Sequence, residues 1–322
     1  MMPDRAALVE AARASIARGS KSFAAASRLF DRTTRERVWL LYAWCRACDD
    51  IADEQDHGYA AGTTIDRRAP EDRLATIRTL TDLALAGEVT GVPAFDALGQ
   101  LVREVPITRD MVDDVLAGFA LDAAEWHPRS EADMLRYCYH VAGAVGVMMA
   151  AVMGVPADDE DTLDRACDLG VAFQLGNIVR DVWEDDANGR CYLPDEWLSE
   201  ADIPPGEVTK PHYRDALVPV VARACRIAQD YEASARVGAG RLAFRQRWAV
   251  LSAANIYGAI GRKVENLGAH AWDHRVRIGA PAKIGLVARA LGQAQRSPAL
   301  AARPRLSRRE LAAIAREPSR SI

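Results

Sequence analysis

The sequence lacks a long apolar run and a strong excess of charge. Its longest apolar stretch, from Val141 to Pro156, falls short of the roughly 20 residues that cross a bilayer, so we expect no transmembrane helix. The first residues have no apolar centre and carry acidic side chains early, so we expect no secretory signal and a cytoplasmic protein. The formal net charge of −4 argues against a general nucleic-acid binder, which would need a basic face.

Glycine, proline and cysteine are also too few to suggest a special class of chain. The 22 glycines and 15 prolines among 322 residues exclude collagen-like and low-complexity sequences, and the 49% apolar content excludes wholesale disorder. Of the six cysteines, Cys45 and Cys48 form a CxxC pair, but no second pair follows at a zinc-site spacing. We interpret the cysteines as buried small side chains in a reducing compartment.

What the sequence does contain is helical periodicity along nearly its whole length. No stretch alternates strictly between apolar and polar residues, so we predict an all-α protein, with Thr33 and Glu36 as a capping box. Helices are expected over 33–53, 72–87, 94–104, 109–124, 130–153, 160–186, 213–238, 247–271 and 281–296. No linker interrupts the pattern, which favours one domain over residues 1–302 and a mobile basic C-terminal tail over 303–322.

A first acidic cluster closes the helix predicted around residues 33–53. Asp49 and Asp53 are four residues apart and therefore share one face, where like charges repel and the helix C-terminus disfavours anions. A bound divalent cation would compensate both penalties, and paired carboxylates suit Mg²⁺ or Mn²⁺. A solvated acidic face is the alternative. Tyr42 and Arg46 lie on the same face and add a hydroxyl group and a cation to it.

A second polar ladder lies on the helix predicted over 160–186. Asn177, Asp181 and Asp185 recur every four residues, Gln174 extends the ladder, and Arg180 is adjacent to it. Apolar residues flank these positions, so we expect the ladder to face a walled cavity. Carboxylates that hold a metal ion, beside a guanidinium group, suit the binding of a phosphate. Two such ladders are typical of all-α enzymes that ionise diphosphates.

Six short motifs carry a specific resemblance. They are GSKSF at 19–23, YAWCRACDDIAD at 42–53, YCYHVAGAVG at 137–146, QLGNIVRDVWED at 174–185, NGRCYLP at 188–194, and YGAIG at 257–261 with AWDHR at 271–275. In this order they resemble the squalene/phytoene synthase family, and most closely its phytoene-forming bacterial members. The resemblance extends from about residue 17 to 289.

The resemblance implies a fold and a reaction. The fold is a helical bundle around a deep central cavity, the type I isoprenoid synthase fold. The reaction is the head-to-head condensation of two geranylgeranyl diphosphates to phytoene through prephytoene diphosphate, with release of diphosphate, in carotenoid biosynthesis. It requires Mg²⁺ or Mn²⁺ and no NADPH. The open alternative is a sibling enzyme that makes squalene, dehydrosqualene or a hopanoid precursor from farnesyl diphosphate. A non-catalytic assembly protein is disfavoured, because degenerate relatives of that kind have lost the acidic residues.

The resemblance also implies roles for individual residues. The metal ligands are Asp49, Asp53, Asn177, Asp181 and Asp185, and the four aspartates act in catalysis together with Tyr137. The diphosphate-binding residues are Ser20, Lys21, Ser22, Tyr42, Arg46, Gln174, Arg180, Tyr257 and Arg275. Phe23, Val141 and Ala142 line the prenyl-chain pocket. An oily product further suggests peripheral contact with a membrane and contact with downstream carotenoid enzymes.

Two further features leave their interpretation open. Gly143 and Gly146 lie inside a predicted helix, where glycine costs about 1 kcal/mol relative to alanine, and both close helix packing and a prenyl channel explain them. The segment 188–194 is interpreted as a loop over the cavity mouth that excludes water from a carbocation.

Overall fold

The computed structural model describes residues 4–52, 55–56, 59–60, 69–124, 126–296, 301–304 and 306–316. The side chains at 21–22, 55–56, 59–60 and 314–316 lie outside this description. Within it, fourteen α-helices and one short antiparallel strand pair confirm the predicted all-α class. The helices are α1 (Arg5–Gly19), α2 (Lys21–Ser27), α3 (Arg32–Ala52), α4 (Pro70–Leu85), α5 (Pro93–Glu104), α6 (Arg109–Ala123), α7 (Glu131–Cys138), α8 (Ala144–Val152), α9 (Glu160–Ala187), α10 (Asp195–Glu200), α11 (Arg214–Ala239), α12 (Phe244–Leu267), α13 (Ala280–Ala294) and α14 (Arg308–Arg316).

Several shorter elements complete the description. The strand pair joins β1 (Gln55–Asp56) to β2 (Tyr59–Ala60). A π-helical turn, Tyr139–Gly143, connects α7 to α8, and two 3₁₀ turns occupy Pro211–Tyr213 and Gly268–His270. The single helix predicted over 130–153 is therefore interrupted by a π-turn, a feature that residue periodicity does not reveal because each π-turn inserts one extra residue.

The N-terminus of α3 corrects one local prediction. The helix begins at Arg32, before the predicted Thr33–Glu36 capping box. Asp31 supplies the cap, since its carboxylate accepts hydrogen bonds from the backbone N–H of Thr34 at 3.0 Å and from the Thr34 hydroxyl at 2.7 Å. Burial of Thr34 favours this arrangement, because its hydroxyl then has a partner.

The chain divides into two compact units, one of residues 1–124 with 148–158, the other of residues 125–147 with 159–322. The single domain predicted over 1–302 stays a prediction. In the first unit, α3 packs against α1, α4 and α5. Leu40, Trp44 and Leu98 are fully buried there, and the Trp44 indole donates to the Thr81 hydroxyl at 3.4 Å. Burying each large apolar side chain stabilises the fold by about 1.5–3 kcal/mol.

The second unit is organised around α9, which packs along α11 and against α12 and the π-turn. The approach to the π-turn is close: a Cβ atom at Gly170 would lie 2.8 Å from the Gly143 Cα and would collide with the Ala142 carbonyl oxygen. At Gly146 a Cβ atom would collide with the Ala166 carbonyl oxygen. Helix packing thus accounts for both Gly143 and Gly146.

The basic C-terminal segment differs from its prediction as a mobile tail. Arg303 pairs with Asp164 of α9 at 2.6 Å, and Arg308 reaches the same carboxylate at 3.2 Å. Leu311 of α14 is fully buried. The described part of this segment is therefore packed in place, because acidic residues on the first turns of α9 match its arginines.

One helical stretch, Glu131–Val152, is long and apolar enough to cross a membrane by length and composition alone. About two thirds of its most apolar window, 67%, is buried inside the structure. That burial is typical of a helix in a protein core. The described residues contain no second stretch of this kind.

Candidate active site

The first cluster of predicted site residues lies on the C-terminal half of α3. Arg46 donates to Asp50 through Nε at 2.9 Å and through Nη2 at 2.5 Å, while its distance to the Asp49 carboxylate is 3.9 Å. The Asp49 side chain is 48% exposed, against 18% for Asp50. Asp50 is therefore the nearer partner of Arg46, and the Asp49 side chain is the more exposed of the two. Asp53 lies outside the described residues.

The start of α2 lies against the same face of α3. Ser20 caps α2 by accepting the backbone N–H of Phe23 at 3.3 Å. The Tyr42 hydroxyl is in such close contact with Gly19 that a Cβ atom there would collide with it, and the ring centroids of Phe23 and Tyr42 are 5.6 Å apart. This contact explains why glycine precedes the Ser-Lys-Ser sequence.

Burial affects the Tyr42 hydroxyl directly. It raises the pKa of Tyr42 to about 12, with the nearby carboxylates of Asp49 and Asp50 adding to the rise and Arg46 opposing it. Tyr42 is therefore a neutral hydrogen-bond donor at physiological pH. The backbones of Lys21 and Ser22 form the first turn of α2, and their side chains lie outside the described part of the structure.

The second cluster lies on α9, which spans nearly eight turns and carries the predicted ladder. Two guanidinium groups bind the Asp181 carboxylate. Arg180 donates through Nε at 2.7 Å and through Nη2, and Arg275 lies 2.9 Å from one carboxylate oxygen and 3.0 Å from the other. The Asn177 side-chain amide donates to Oε1 of the Gln174 side chain at 3.3 Å, which orients both side chains along the same helix face.

Asp185, one turn beyond Asp181, has a strongly altered acidity. Burial raises the pKa of Asp185 to about 7, the negative charge of Asp181 adds to the rise, and Arg190 opposes it. Two carboxylates on successive helical turns thus repel each other in a partly desolvated place. A divalent cation between them would relieve that repulsion.

Aromatic pairs hold the elements around α9. Trp272, which precedes Arg275, donates its indole N–H to the Val179 carbonyl at 3.1 Å and stacks on Trp183 at 5.0 Å. These contacts fix the segment that brings Arg275 to Asp181. Tyr257 of α12 stacks on Phe173 of α9 with ring centroids 4.2 Å apart.

Tyr137 lies in a stack of three rings. Its ring centroid is 5.9 Å from that of Trp126 and 4.6 Å from that of Tyr192, and both interplanar angles are 19°. Tyr192 belongs to the segment 188–194, so this stack fixes that segment against α7. Val141 and Ala142 lie in the π-turn, both partly buried, where Gly170 of α9 makes its close approach.

Comparison with known proteins decides which family this arrangement represents. The squalene/phytoene synthase family profile matches residues 16–282. A phytoene synthase of Pseudescherichia vulneris is 45% identical over 298 residues, which cover 92% of this chain and 96% of that protein. The chain belongs to the squalene/phytoene synthase family. A 15-cis-phytoene synthase of Pantoea ananas is likewise 45% identical, over 89% of this chain and 92% of that protein.

Solved structures of this family share the fold. A dehydrosqualene synthase in complex with a ligand matches with a TM-score of 0.78 and 25% identity, over 90% of this chain and 98% of that one. A squalene synthase from Alicyclobacillus acidocaldarius matches with a TM-score of 0.71 at 21% identity, over 81% of this chain and 94% of that one. The predicted family and the isoprenoid synthase fold are confirmed.

The donor set of α9 fits the divalent metal that members of this family use. Asn177, Asp181 and Asp185 supply hard oxygen atoms on consecutive turns, and the raised pKa of Asp185 marks a place where added positive charge is favourable. Among the described residues, no three His, Cys, Asp or Glu side chains converge closely enough to hold a metal on their own. Mg²⁺ commonly takes one or two carboxylates and completes its shell with water and substrate phosphates.

The structure adds one residue that sequence reasoning did not assign. Asp50, between the two predicted ligands of α3, is the main partner of Arg46. The spacing of four residues between Arg46 and Asp50 was the available signal, since oppositely charged residues at that spacing on a helix are neighbours. On α9, by contrast, Arg180 contacts the predicted metal ligand Asp181, and the unassigned Glu184 lies 3.8 Å from Arg275.

Proposed function

We propose that this chain condenses two geranylgeranyl diphosphates head to head to give phytoene, through prephytoene diphosphate. The observation that carries the proposal is the 45% identity to a phytoene synthase over nearly the full length of both chains. Both acidic clusters required by such chemistry are present in the sequence, which argues against a non-catalytic relative. The enzyme class is that of the prenyltransferases.

The side chains of both clusters have chemistry suited to this reaction. Diphosphate leaves carbon only when its developing charge is offset. Arg180 and Arg275 place two guanidinium groups at Asp181, and Arg46 provides a third beside Tyr42 and Gly19. We infer that these groups bind diphosphate oxygens. Mg²⁺ or Mn²⁺, held by Asp49, Asp53, Asn177, Asp181 and Asp185, would supply further charge neutralisation to the leaving group.

The aromatic residues suit a second requirement of the reaction, which is to protect the carbocation from water. An allylic cation must be kept from water, and a wall of buried side chains excludes water from it. Tyr137 is buried and stacks on Tyr192 in the second unit, and we propose that this pair forms part of such a wall. Phe23 and the π-turn residues Val141 and Ala142 are proposed to contact the prenyl chain.

A second candidate is a sibling synthase that uses farnesyl diphosphate. The high structural similarity to a dehydrosqualene synthase favours it specifically. The curated sequence relatives favour phytoene formation, since the identity to them, 43–45%, is well above the 25% to that structure.

A product assay tests both candidates. Purified protein is incubated with labelled C15 or C20 prenyl diphosphates and Mg²⁺ or Mn²⁺, with and without NADPH, and the hydrocarbon is identified by mass spectrometry. Phytoene from the C20 substrate without NADPH is the expected result. A C30 hydrocarbon formed in preference, or dependence on NADPH, would replace the proposal with the sibling activity. Omission of the metal ion is expected to stop turnover. The proposed location is the cytoplasm, with access to downstream carotenoid enzymes.

A further inference from the structure

Helix α13 presents an apolar face to solvent. Its inner face packs Ala290 and Ala294 against Leu251 and Trp248 of α12. Its outer face carries Pro281, Ile284, Gly285 and Ala288, all exposed and spaced to lie along one side of the helix. A surface helix normally places charged and polar residues outward, so this outer face departs from the rule.

Ile284 is the most exposed large apolar side chain of this outer face. It is 72% exposed, whereas the next most exposed large apolar side chain among the described residues, Phe244, is 45% exposed. An isoleucine in this position gains nothing from the fold of the chain itself. Ile284 does not stand alone, because the exposed Pro281, Gly285 and Ala288 continue the apolar surface along the helix, and contiguous exposed apolar surface is typical of contact surfaces.

The charge around this face has one sign. Residues 276–296 contain four lysines and arginines and no acidic residue, although the whole chain carries 45 acidic side chains. Arg277, Arg289 and Arg296 are exposed, and within the described part of the chain they have no acidic partner. Elsewhere on this unit, arginines such as Arg241 and Arg308 are paired with acids. The surface of α13 is therefore both apolar and locally cationic.

We propose that the outer face of α13, with Arg277, Arg289 and Arg296, docks on an anionic lipid bilayer. A helix with an apolar stripe and flanking cations lies in the interface of such a membrane, with its apolar side chains among the acyl chains. A second copy of the chain fits less well, because two cationic faces would repel each other. A nucleic acid would leave Ile284 exposed.

This assignment rests in one respect on the proposed function, because C20 prenyl chains and a C40 hydrocarbon partition into lipid. A peripheral enzyme would receive such substrates and release such a product at the membrane surface. The docking surface itself is argued from exposure and charge, and it can be tested without substrate.

Vesicle flotation tests the proposal on the full chain. Vesicles of phosphatidylcholine with about one third phosphatidylglycerol should bind the protein, and vesicles of phosphatidylcholine alone should bind it at least tenfold more weakly. Each basic residue near an anionic surface contributes about fivefold in affinity. Raising the ionic strength to about 1 M, where charges are screened within roughly 3 Å, should release most of the protein.

Substitutions locate the surface. Ile284→Glu should weaken binding to the anionic vesicles at least tenfold, and Ile284→Ser should weaken it less. The triple change of Arg277, Arg289 and Arg296 to Gln should remove the preference for anionic lipid. Val89→Glu is the matched control, since Val89 is an exposed apolar residue of the other unit, and its binding should equal that of the unaltered chain. Circular dichroism checks that each variant is folded.

Three results would overturn the proposal: no binding of the unaltered chain to anionic vesicles, binding that Ile284→Glu leaves unchanged, or a dimer in solution that Ile284→Glu abolishes while vesicles are not bound. Turnover of detergent-dispersed prenyl diphosphates is measured separately, and Ile284→Glu should retain it. Loss of vesicle binding with full turnover supports the docking surface. Vesicle binding without any phytoene formation would refute the proposed function and leave the docking surface standing.

Discussion

The carboxylates of α3 and α9 have opposite relations to their arginines. On α3, Arg46 binds Asp50, and the predicted metal ligand Asp49 keeps a side chain that is 48% exposed. On α9, the arginines bind the predicted ligand itself, since Arg180 and Arg275 both contact Asp181. On α3 the closest arginine contact thus goes to a neighbour of the predicted ligand, and on α9 it goes to the predicted ligand itself.

This difference indicates where reorganisation on ligand binding must occur. A diphosphate offers more negative charge than a single carboxylate, so under the proposed function Arg180 and Arg275 would exchange Asp181 for phosphate oxygens and leave Asp181 to the proposed metal ion. At α3, Arg46 can keep Asp50 and still reach an anion with its remaining N–H group, since a guanidinium group has five donors. We therefore expect substitutions at the two sites to act differently on binding and on turnover.

The largest expected effect follows from removing a charge at a predicted ligand. Asp49→Asn and Asp181→Asn should each lower kcat at least roughly 1,000-fold, with little change in the melting temperature, because they remove charge and not volume. Steady-state kinetics of phytoene formation and thermal melting measure the two quantities. Near-normal activity in both variants would refute the metal assignment.

The matched control for this pair is Glu184→Gln. Glu184 lies on α9, between Asp181 and Asp185, and is 43% exposed with Arg275 at 3.8 Å. It has the same charge and neighbourhood but was not assigned as a ligand, and its substitution should change kcat less than about fivefold. If the Asp181→Asn variant were inactive and the Asp49→Asn variant active, the acidic clusters of α3 and α9 would not be equivalent in catalysis.

A smaller effect is expected at the residue that distinguishes the two clusters. Asp50→Asn should raise KM for the diphosphate substrate roughly tenfold and change kcat little, because it loosens Arg46 without removing a metal ligand. Asp50→Glu should restore part of the affinity by restoring the ion pair. A fall in kcat as large as that of Asp49→Asn would mean that Asp50 is itself a ligand.

Much of this architecture could be predicted from sequence, for identifiable reasons. The ladder of Asn177, Asp181 and Asp185 was visible because helical spacing alone places residues four apart on one face. The class of the fold followed from helical periodicity, and the family from six ordered motifs. Helix boundaries were less secure: Asp31 caps α3 in place of Thr33, because the cap depends on which side chain can reach the free N–H groups.

Other features depend on contacts between segments far apart in sequence. The partners of Asp181 include Arg275, 94 residues away, which no local pattern indicates. The packing of Arg303 and Arg308 on Asp164 corrected the mobile tail, because a count of arginines does not show where acidic partners lie. The π-turn at Tyr139–Gly143 and its contact with Gly170 also required the folded structure.

Each unit has a glycine at a close contact between helical segments, and an added Cβ atom would affect the two units differently. Gly170→Ala should destabilise the protein by roughly 2–3 kcal/mol, since its Cβ atom would collide with the backbone of Ala142 and force the π-turn to move. It should also raise KM, because the π-turn holds the proposed prenyl-pocket residues. Chemical denaturation and steady-state kinetics measure the two effects.

Gly99 provides the matched control in the first unit. A Cβ atom there would lie 2.9 Å from the Ala84 carbonyl oxygen, a milder conflict, between two helices that carry no predicted site residue. Gly99→Ala should destabilise by roughly 1 kcal/mol and leave KM unchanged. Equal KM changes in the two variants would mean that Gly170 acts only through general stability.

The smallest expected effects are opposite pH dependences of stability in the two units. In the first, burial tends to raise the pKa of Glu104, but hydrogen bonds from Arg5, Gln100 and Arg37 outweigh it and lower the pKa to about 2. The unfolded carboxyl titrates near 4.3, so the stabilisation is complete above that pH and is lost as the pH falls toward 2.

In the second unit, burial raises the pKa of Asp168 to about 6, against the opposing effects of the Ser234 hydroxyl and Arg303. Its Oδ1 atom has no hydrogen-bond partner among the described residues. The folded state therefore retains a proton that the unfolded state loses near pH 3.9, and stability should decrease as the pH rises from about 4 to 6. Urea unfolding at several pH values measures the free energy of unfolding. Glu104→Gln should remove roughly 1–2 kcal/mol of its decrease in acid, and Asp168→Asn should remove roughly 1–2 kcal/mol of its decrease between pH 4 and 6. A slope between pH 4 and 6 that survives Asp168→Asn would assign the slope to another group and remove Asp168 from the contrast with Glu104.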